Sequence, residues 1–243
     1  MNRIIFITAG TSSLGRVLCE QFAMQGDHLI LHYYQNKELA ITLKKELQKK
    51  YSVNILLMQG DISNEKDVQK MKKECKDKYG KIDVLVNNAG IAIDDDFFQK
   101  DVNDFKKIVN VNLVGTYLVS REFGKMMLEQ NEGTIINIAS TNGIDTYYPE
   151  SVDYDISKAG IISLTHNLAH ALAPNIRVNA VAPGWFETEL NEQLNPDFRK
   201  KEIEKILLNR FAYPEEIAKV IIFLASENAS YINNTIIRVD GGY

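Results

Sequence analysis

Tyr154 and Lys158 stand four residues apart in the stretch VDYDISKAG, residues 152–160, where an apolar helical segment begins. Residues at that spacing share one helix face, with Cβ atoms about 6 Å apart, so both can act on one ligand. A tyrosine has an ordinary pKa near 10 and is a slow proton donor or acceptor at neutral pH. A neighbouring ammonium and the positive end of a helix both favour the phenolate. Lowering the pKa by a few units takes about 4 kcal/mol, within reach of the two together. Tyr and Lys at this spacing also decorate ordinary solvent-facing helices, so the pair needs company before it means catalysis.

That company lies at the ends of apolar runs. INIAS places Ser140 at the end of a predicted fifth strand, and NVNLVGT places Asn112 in the long helix before it. TAGTSSLGR, residues 8–16, is a glycine- and hydroxyl-rich turn between a strand and a helix. Backbone N–H groups at such a helix start receive a pyrophosphate, and Gly15 allows helix and strand to approach closely. Gly10, Ser12, Ser13 and Leu14 complete the candidate loop. A three-glycine form, TGxxxGxG, would have glycine where Ala9 and Ser13 stand, and a Cβ at a position of positive φ costs about 1 kcal/mol. Either Gly10 absorbs the turn, or the backbone does not need the first glycine; the hydroxyls of Thr11, Ser12 and Ser13 can compensate toward a phosphate. GDI at 60–62 and NNAG at 87–90 end the next strands. Asp61, with Ile62 beside it, is expected to accept from an adenine amine, and Asn87, Asn88, Ala89 and Gly90 to border a ribose. Read without that context, NNAG is a turn.

The elements that must position these residues alternate. Apolar runs at 4–8, 28–34, 53–59, 84–87, 134–139, 176–182 and 236–240 predict seven strands. Most are continuous rather than alternating, as burial on both faces of a parallel sheet requires. Amphipathic segments at 14–25, 37–51, 65–79, 105–128 and 214–224 separate them. The pattern predicts a single-domain, doubly wound α/β (Rossmann) sheet of about seven strands with helices on both faces, spanning 1–243. The charged stretch 186–210 reads as short helices forming a mobile substrate flap.

Bulk properties exclude other classes. With 243 residues and 45% hydrophobic residues the chain can bury a large core unaided. Its 28 basic and 32 acidic residues, net charge -4, leave no footprint for nucleic acid or an anionic membrane. The N-terminal apolar run is too short for a signal peptide or a span, so the expected location is cytoplasmic. Cys19 and Cys75 lie in helical segments without zinc spacing and read as buried thiols. His166 and His170 in HNLAH lack the acid of an HExxH site and read as a surface or interface pair, so no metal is expected. DDD at 94–96 reads as a helix cap or a solvated loop.

NNAG, NVNL, IINIAS, YDISK, RVNAVAPGWFET and IRVDGGY, in that order and over essentially the whole chain, resemble the short-chain dehydrogenase/reductase family, nearest overall to its 3-oxoacyl-(acyl-carrier-protein) reductases. The resemblance implies a tetrad. Tyr154 would give a proton to a carbonyl oxygen, or remove one from a hydroxyl, and Ser140 would hold that oxygen. Lys158 would contact the nicotinamide ribose and depress the tyrosine pKa, while Asn112 would hold a relay water. Pro183, Gly184, the backbone near Phe186 and the Thr188 hydroxyl would hold the nicotinamide carboxamide. A homotetramer or homodimer through the long central helices and the last strand is also implied.

At the end of the second strand, HYYQNK has Tyr33 where an acid would accept from a ribose 2′-OH. His32 and Lys37 are the nearest bases. NADP(H) is therefore favoured and NAD(H) possible. The expected activity is hydride transfer between the nicotinamide and a carbonyl or secondary alcohol, with a 3-oxoacyl thioester as first substrate. A sugar or polyol dehydrogenase is the alternative, and a non-catalytic dinucleotide sensor the reading of another class. Family reductases carry basic residues for an acidic carrier protein where this chain has Glu129, Glu132, Pro174 and Asn175, so carrier docking is doubtful. Tyr147, Tyr148, Trp185 and Phe97 are candidates to wall a substrate pocket, against plain loop packing.

Overall fold

A computed structural model describes residues 2–189 and 191–243; Leu190, within the flap expected at 186–210, lies outside them. The apolar runs become β1 (Ile4–Ile7), β2 (His28–Tyr33), β3 (Ile55–Gln59), β4 (Val84–Asn87), β5 (Gly133–Ile138), β6 (Ile176–Pro183) and β7 (Ile236–Val239). All pair in parallel, in the order β3-β2-β1-β4-β5-β6-β7. Every residue of β1, β4 and β5 is buried, which explains why these strands are apolar without alternation.

One face of the sheet packs against α1 (Ser13–Met24), α2 (Lys37–Lys50) and α8 (Pro214–Leu224), with Leu18, Phe22, Leu31 and Ile217 fully buried there. The other face meets α3 (Glu65–Tyr79), α5 (Thr116–Gln130) and α6 (Val152–Leu172) around Phe6, Met71 and Phe123. Strand order reverses at β1, between β2 and β4, and the carboxyl ends of β1, β4, β5 and β6 open on one crevice.

Two elements differ from expectation. The helix expected at 105–128 is α4 (Val102–Val109) and α5 joined by a wide π turn, Asn110–Gly115, and Asn112 sits in that turn. π turns of this kind collect at functional sites. The helix cap before α4 is Asp101, whose carboxylate accepts from the Asn103 amide; none of Asp94, Asp95 or Asp96 caps it. In 186–210 the chain forms a short turn at Asn191–Gln193 and α7 (Pro196–Lys205).

Candidate active site

Tyr154 lies in the first turn of α6, which begins after the loop that leaves β5 at Ser140. Its phenol lies beside the Ser140 hydroxyl. One turn further on, Lys158 puts its Nζ 5.4 Å from the Tyr154 ring centre and donates to the Ile138 carbonyl at 2.7 Å. That bond uses one of three ammonium protons and aims the others into the crevice mouth beside Gly90, where a Cβ would lie 3.6 Å from Nζ. Ser140, Tyr154 and Lys158 are thus brought together from β5 and α6.

The electrostatics depart from the sequence expectation. Burial pushes the Tyr154 phenol up to about 12, with the Ser140 hydroxyl opposing and Asp155 and Asp94 adding to the rise. Burial also brings the Lys158 ammonium down to about 8. The chain by itself therefore holds a protonated tyrosine, and the expected lowering by Lys158 does not occur in it. Desolvation disfavours the charged form of both groups, the phenolate and the ammonium expected to stabilise it.

Asn112 is buried, and its amide is fully engaged. Oδ1 accepts from the Ile91 amide at 2.8 Å, and Nδ2 donates to the Ile91 carbonyl at 2.9 Å and to Ser157 Oγ at 3.1 Å. This side chain pins the segment after β4 to α6. A relay water would have to use the Asn112 main-chain carbonyl, which already accepts from Thr116 Oγ1 at 2.7 Å.

The glycine turn between β1 and α1 follows neither alternative for the missing glycine. Ala9 itself takes the left-handed conformation, with φ 49°, and Gly10 does not absorb the turn. Asn88 Nδ2 holds the strained segment, donating to the Thr8 and Ala9 carbonyls and to Ser12 Oγ at 3.0, 3.1 and 3.1 Å. The Thr8 hydroxyl in turn accepts from the Asn88 and Ala89 amides, each at 2.9 Å. Ser12 Oγ also accepts from the Gly15 amide as the cap of α1, so it belongs to the loop scaffold. Ser13 and Thr11 make no side-chain hydrogen bond among the described residues. Gly15 is obligatory, since a Cβ there would sit 2.2 Å from the Ala9 oxygen. Leu14 is buried in the core and can offer a ligand only its backbone. The same holds for Ile62, which packs on Gly115.

Two residues at the end of β2 are corrected as well. Tyr33 is buried in the core, and the neighbouring Tyr34 is the exposed one. Tyr34, Gln59, Gly60, Asp61, Asp67 and Lys70 line a shallow cavity of about 270 Å³ beyond the ends of β2 and β3. His32 is buried, accepts from the Ala9 amide and faces the Gly60 carbonyl; burial brings it down to about 4 despite Gly60 and Asp61. It is a neutral strut and cannot meet a phosphate as a cation.

Beyond β6, Phe186 pairs with Ala212 and its carbonyl accepts from Asn191 Nδ2 at 2.8 Å, while Thr188 Oγ1 accepts from the Asn191 amide at 3.0 Å and keeps its own proton. Gly184 is packed against Asp240, with a Cβ position 2.8 Å from that side chain, and Pro183 is buried. Arg16 of α1 bonds Glu189 at 2.5 Å, tying the segment after β6 to the first helix.

Of the four aromatic residues expected to wall a pocket, Tyr148 and Trp185 meet, edge to face at 6.1 Å, with Phe198 and Phe211 completing the group. Phe97 instead packs on Phe98 in an exposed loop, and Tyr147 is exposed. A buried carboxylate that sequence reading missed organises this wall. Glu202 Oε2 accepts from the Tyr148 hydroxyl at 2.5 Å, the Trp185 indole at 3.2 Å and the Tyr243 hydroxyl, and Oε1 accepts from Lys205 at 2.6 Å. A second missed pair, Lys100–Asp153 at 3.1 Å, buries an ion pair between the loop after β4 and the first turn of α6. Apart from the i,i+3 pair of Glu202 with Lys205, no short-range pattern announces either, because the other partners come from separate segments.

This crevice, with a glycine turn at a helix start and Ser, Tyr and Lys converging across it, is the arrangement of a dinucleotide-dependent oxidoreductase. Residues 8–243 match a family model described as enoyl-(acyl carrier protein) reductase. The chain is 38% identical over 241 residues to a 3-oxoacyl-(acyl-carrier-protein) reductase of Aquifex aeolicus, covering 99% of this chain and 96% of that one. A crystal structure of a short chain dehydrogenase from Bacillus anthracis superposes with TM-score 0.89 at 33% identity, over 99% of this chain and 95% of the other. A gluconate 5-dehydrogenase from Burkholderia cenocepacia, solved with NADP and tartrate, gives 0.93 at 28% identity, over 100% and 95%. The chain belongs to the short-chain dehydrogenase/reductase family and is a nicotinamide-dinucleotide-dependent oxidoreductase.

Proposed function

We propose that the protein reduces a 3-oxoacyl thioester, with NADPH preferred over NADH. The observation that carries this reading is the meeting of Tyr154, Ser140 and Lys158 at the carboxyl end of β5. The cradle fits a dinucleotide in three respects. Gly15 keeps the α1 start open, Asp61 takes Ser63 on Oδ1 and makes no hydrogen bond through Oδ2 among the described residues, and Gly90 exposes backbone beside Lys158. Gly10, Ser13, the Leu14 backbone and Gly15 would hold the pyrophosphate. Asp61, Ile62, Asn88, Ala89 and Gly90 would border the adenosine, and Pro183, Gly184, Phe186 and Thr188 the nicotinamide. When bound, the dinucleotide supplies the hydride.

The chain's own residues do the rest. Ser140 holds the carbonyl oxygen, Tyr154 delivers a proton to it, and Lys158 supplies the positive charge that stabilises the tyrosine once it has given that proton up. The phosphate preference is supported by the lack of an acid at Tyr33 and Tyr34 and by exposed Lys37 and Lys70 near that end of the sheet. An acyl carrier protein is a disfavoured partner, since Glu129 and Glu132 present acids to it and Glu129 is paired with Lys76 at 2.9 Å. Residues 1–243 act as one domain with a moving flap at 186–210, in the cytoplasm. No helix among the described residues is long and apolar enough to cross a membrane. A homotetramer or homodimer is supported by exposed Val114 in the π turn, by Tyr117 and Leu128 on α5 and by the open edge of β7.

The test is oxidation of NADPH and NADH by the purified protein with acetoacetyl-coenzyme A, beside reduction of NADP by gluconate. Thioester turnover with a Tyr154→Phe variant down about 100-fold or more, at unchanged NADPH affinity, is the expected result. Gluconate oxidation without thioester reduction would move the assignment to the sugar-acid dehydrogenases.

A further inference from the structure

Asp155 follows the tyrosine in sequence, is buried, and has no part in the tetrad. Its Oδ1 accepts from Asn142 Nδ2 at 2.7 Å, and its Oδ2 from the Tyr148 amide at 3.1 Å. A carboxylate receiving from both sides forces the amide orientation of Asn142, because only Nδ2 can face it. The Asn142 oxygen is thereby turned to Ser140, whose hydroxyl donates to it at 3.2 Å, while the Asn142 main-chain N–H donates back to Ser140 Oγ at 3.3 Å.

We infer that Asp155 is a positioning residue: through the Asn142 amide it commits the single Ser140 proton away from Tyr154, so that Ser140 presents a lone pair to the phenol.

The consequence follows from the direction of the hydrogen bonds. A free Ser140 hydroxyl would donate to a phenolate and favour it. With its proton on Asn142, Ser140 accepts from the neutral phenol instead, and the donor chain Tyr154–Ser140–Asn142 ends on the Asp155 charge. The tyrosine is kept loaded with its proton until a carbonyl oxygen competes for the Ser140 donor. Of the groups around the phenol, Asp155 on its own helix and Asp94 from the loop after β4 disfavour ionisation, and the Ser140 hydroxyl favours it wherever its proton is free to be donated. Asp155 itself faces Asp153 and Asp94. This device favours carbonyl reduction over alcohol oxidation as pH rises.

The inference rests on Tyr154 as the proton donor, and its test separates the two. Phenolate absorbance is titrated in the unliganded protein, with Tyr154→Phe subtracted to isolate that one tyrosine. The alkaline limb of acetoacetyl-coenzyme A reduction with NADPH is recorded in parallel. Asn142→Ala and Asp155→Asn are each expected to move the Tyr154 titration, and that limb, down by about one pH unit. The double variant moves them by less than the sum, because both act along one path. Asn142→Ala keeps the test decisive if Asp155→Asn fails to fold. A titration unmoved in Asn142→Ala would overturn the positioning role, and a shift in Asp155→Asn alone would reduce Asp155 to a bare charge. Retained turnover in Tyr154→Phe would overturn the proton-donor assignment instead.

Discussion

The Ala9 amide donates to Nδ1 of His32 at 3.1 Å, and Nε2 of the same ring lies 2.9 Å from the Gly60 carbonyl. Because an amide can only donate, Nδ1 must be the acceptor and Nε2 must carry the proton that Gly60 receives. One neutral imidazole therefore ties the turn after β1 to the end of β3. Protonation would set two N–H groups against each other at Ala9.

That relationship makes stability depend on pH with a definite sign. Burial brings His32 from its ordinary 6.5 down to about 4 in the folded chain. The unfolded chain binds the extra proton first, so stability is complete above about 6.5 and falls as pH drops toward about 4, by on the order of 3 kcal/mol. Denaturant unfolding of the wild type and His32→Ala across this window should show the slope in the first and its reduction in the second. The variant should also bind NADPH about tenfold more weakly, because the Ala9 amide loses its partner.

Ala9 at φ 49° carries a local cost that glycine would not. A left-handed alanine is disfavoured by about 1–2 kcal/mol, and the greater freedom of glycine in the unfolded chain returns about 0.4–1 kcal/mol of that. Ala9→Gly should therefore stabilise the protein by about 0.5–1 kcal/mol in chemical denaturation. An unchanged or lower midpoint would mean that the Asn88 and His32 contacts already absorb the cost.

Gly15 has the opposite outlook. A methyl group there would stand 2.2 Å from the Ala9 oxygen and 2.9 Å from the Gly10 backbone. Since main chain cannot move aside as a side chain can, Gly15→Ala should lose about 3 kcal/mol of stability or reshape the loop. Isothermal titration with NADPH should show binding weakened at least about 100-fold, and near-native affinity would contradict the tight approach.

Glu202 gathers Tyr148, Trp185 and Tyr243 onto one carboxylate oxygen. Burial pushes that carboxyl up, and the Lys205, Tyr148 and Tyr243 donors outweigh it and hold it below the usual range. Glu202→Gln should cost about 2 kcal/mol, because a neutral amide accepts more weakly and brings protons of its own. Trp185 is the only tryptophan and stacks on Phe211 at 5.4 Å, so its fluorescence reports the loosening directly. An unshifted emission in the variant would show that the aromatic packing holds the wall unaided.

The sheet was legible in the sequence because burial on both faces demands continuous apolar runs, and the observed strands begin and end within two residues of those runs. Ser140, Tyr154 and Lys158 were legible for a similar reason, since a strand end and an i,i+4 helix spacing place them by local geometry alone. His32 was misjudged as a candidate cation, and Tyr33 as a ribose neighbour, because sequence at the end of β2 does not say which residue turns inward. The role of Asn112 changed once the π turn was seen. No window of sequence shows that Ile91 and Ser157 converge on one amide.

The amino-acid order alone determined the fold class, the strand and helix succession and the chemistry-bearing residues, all of which follow from short-range periodicity and residue type. Tertiary structure alone decided the protonation and hydrogen-bond direction at the site: a phenol kept neutral by burial, an imidazole locked as a strut, and a serine proton turned toward Asn142 and Asp155. Those properties arise from desolvation and from partners up to dozens of residues away, and neither quantity exists until the chain has closed around them.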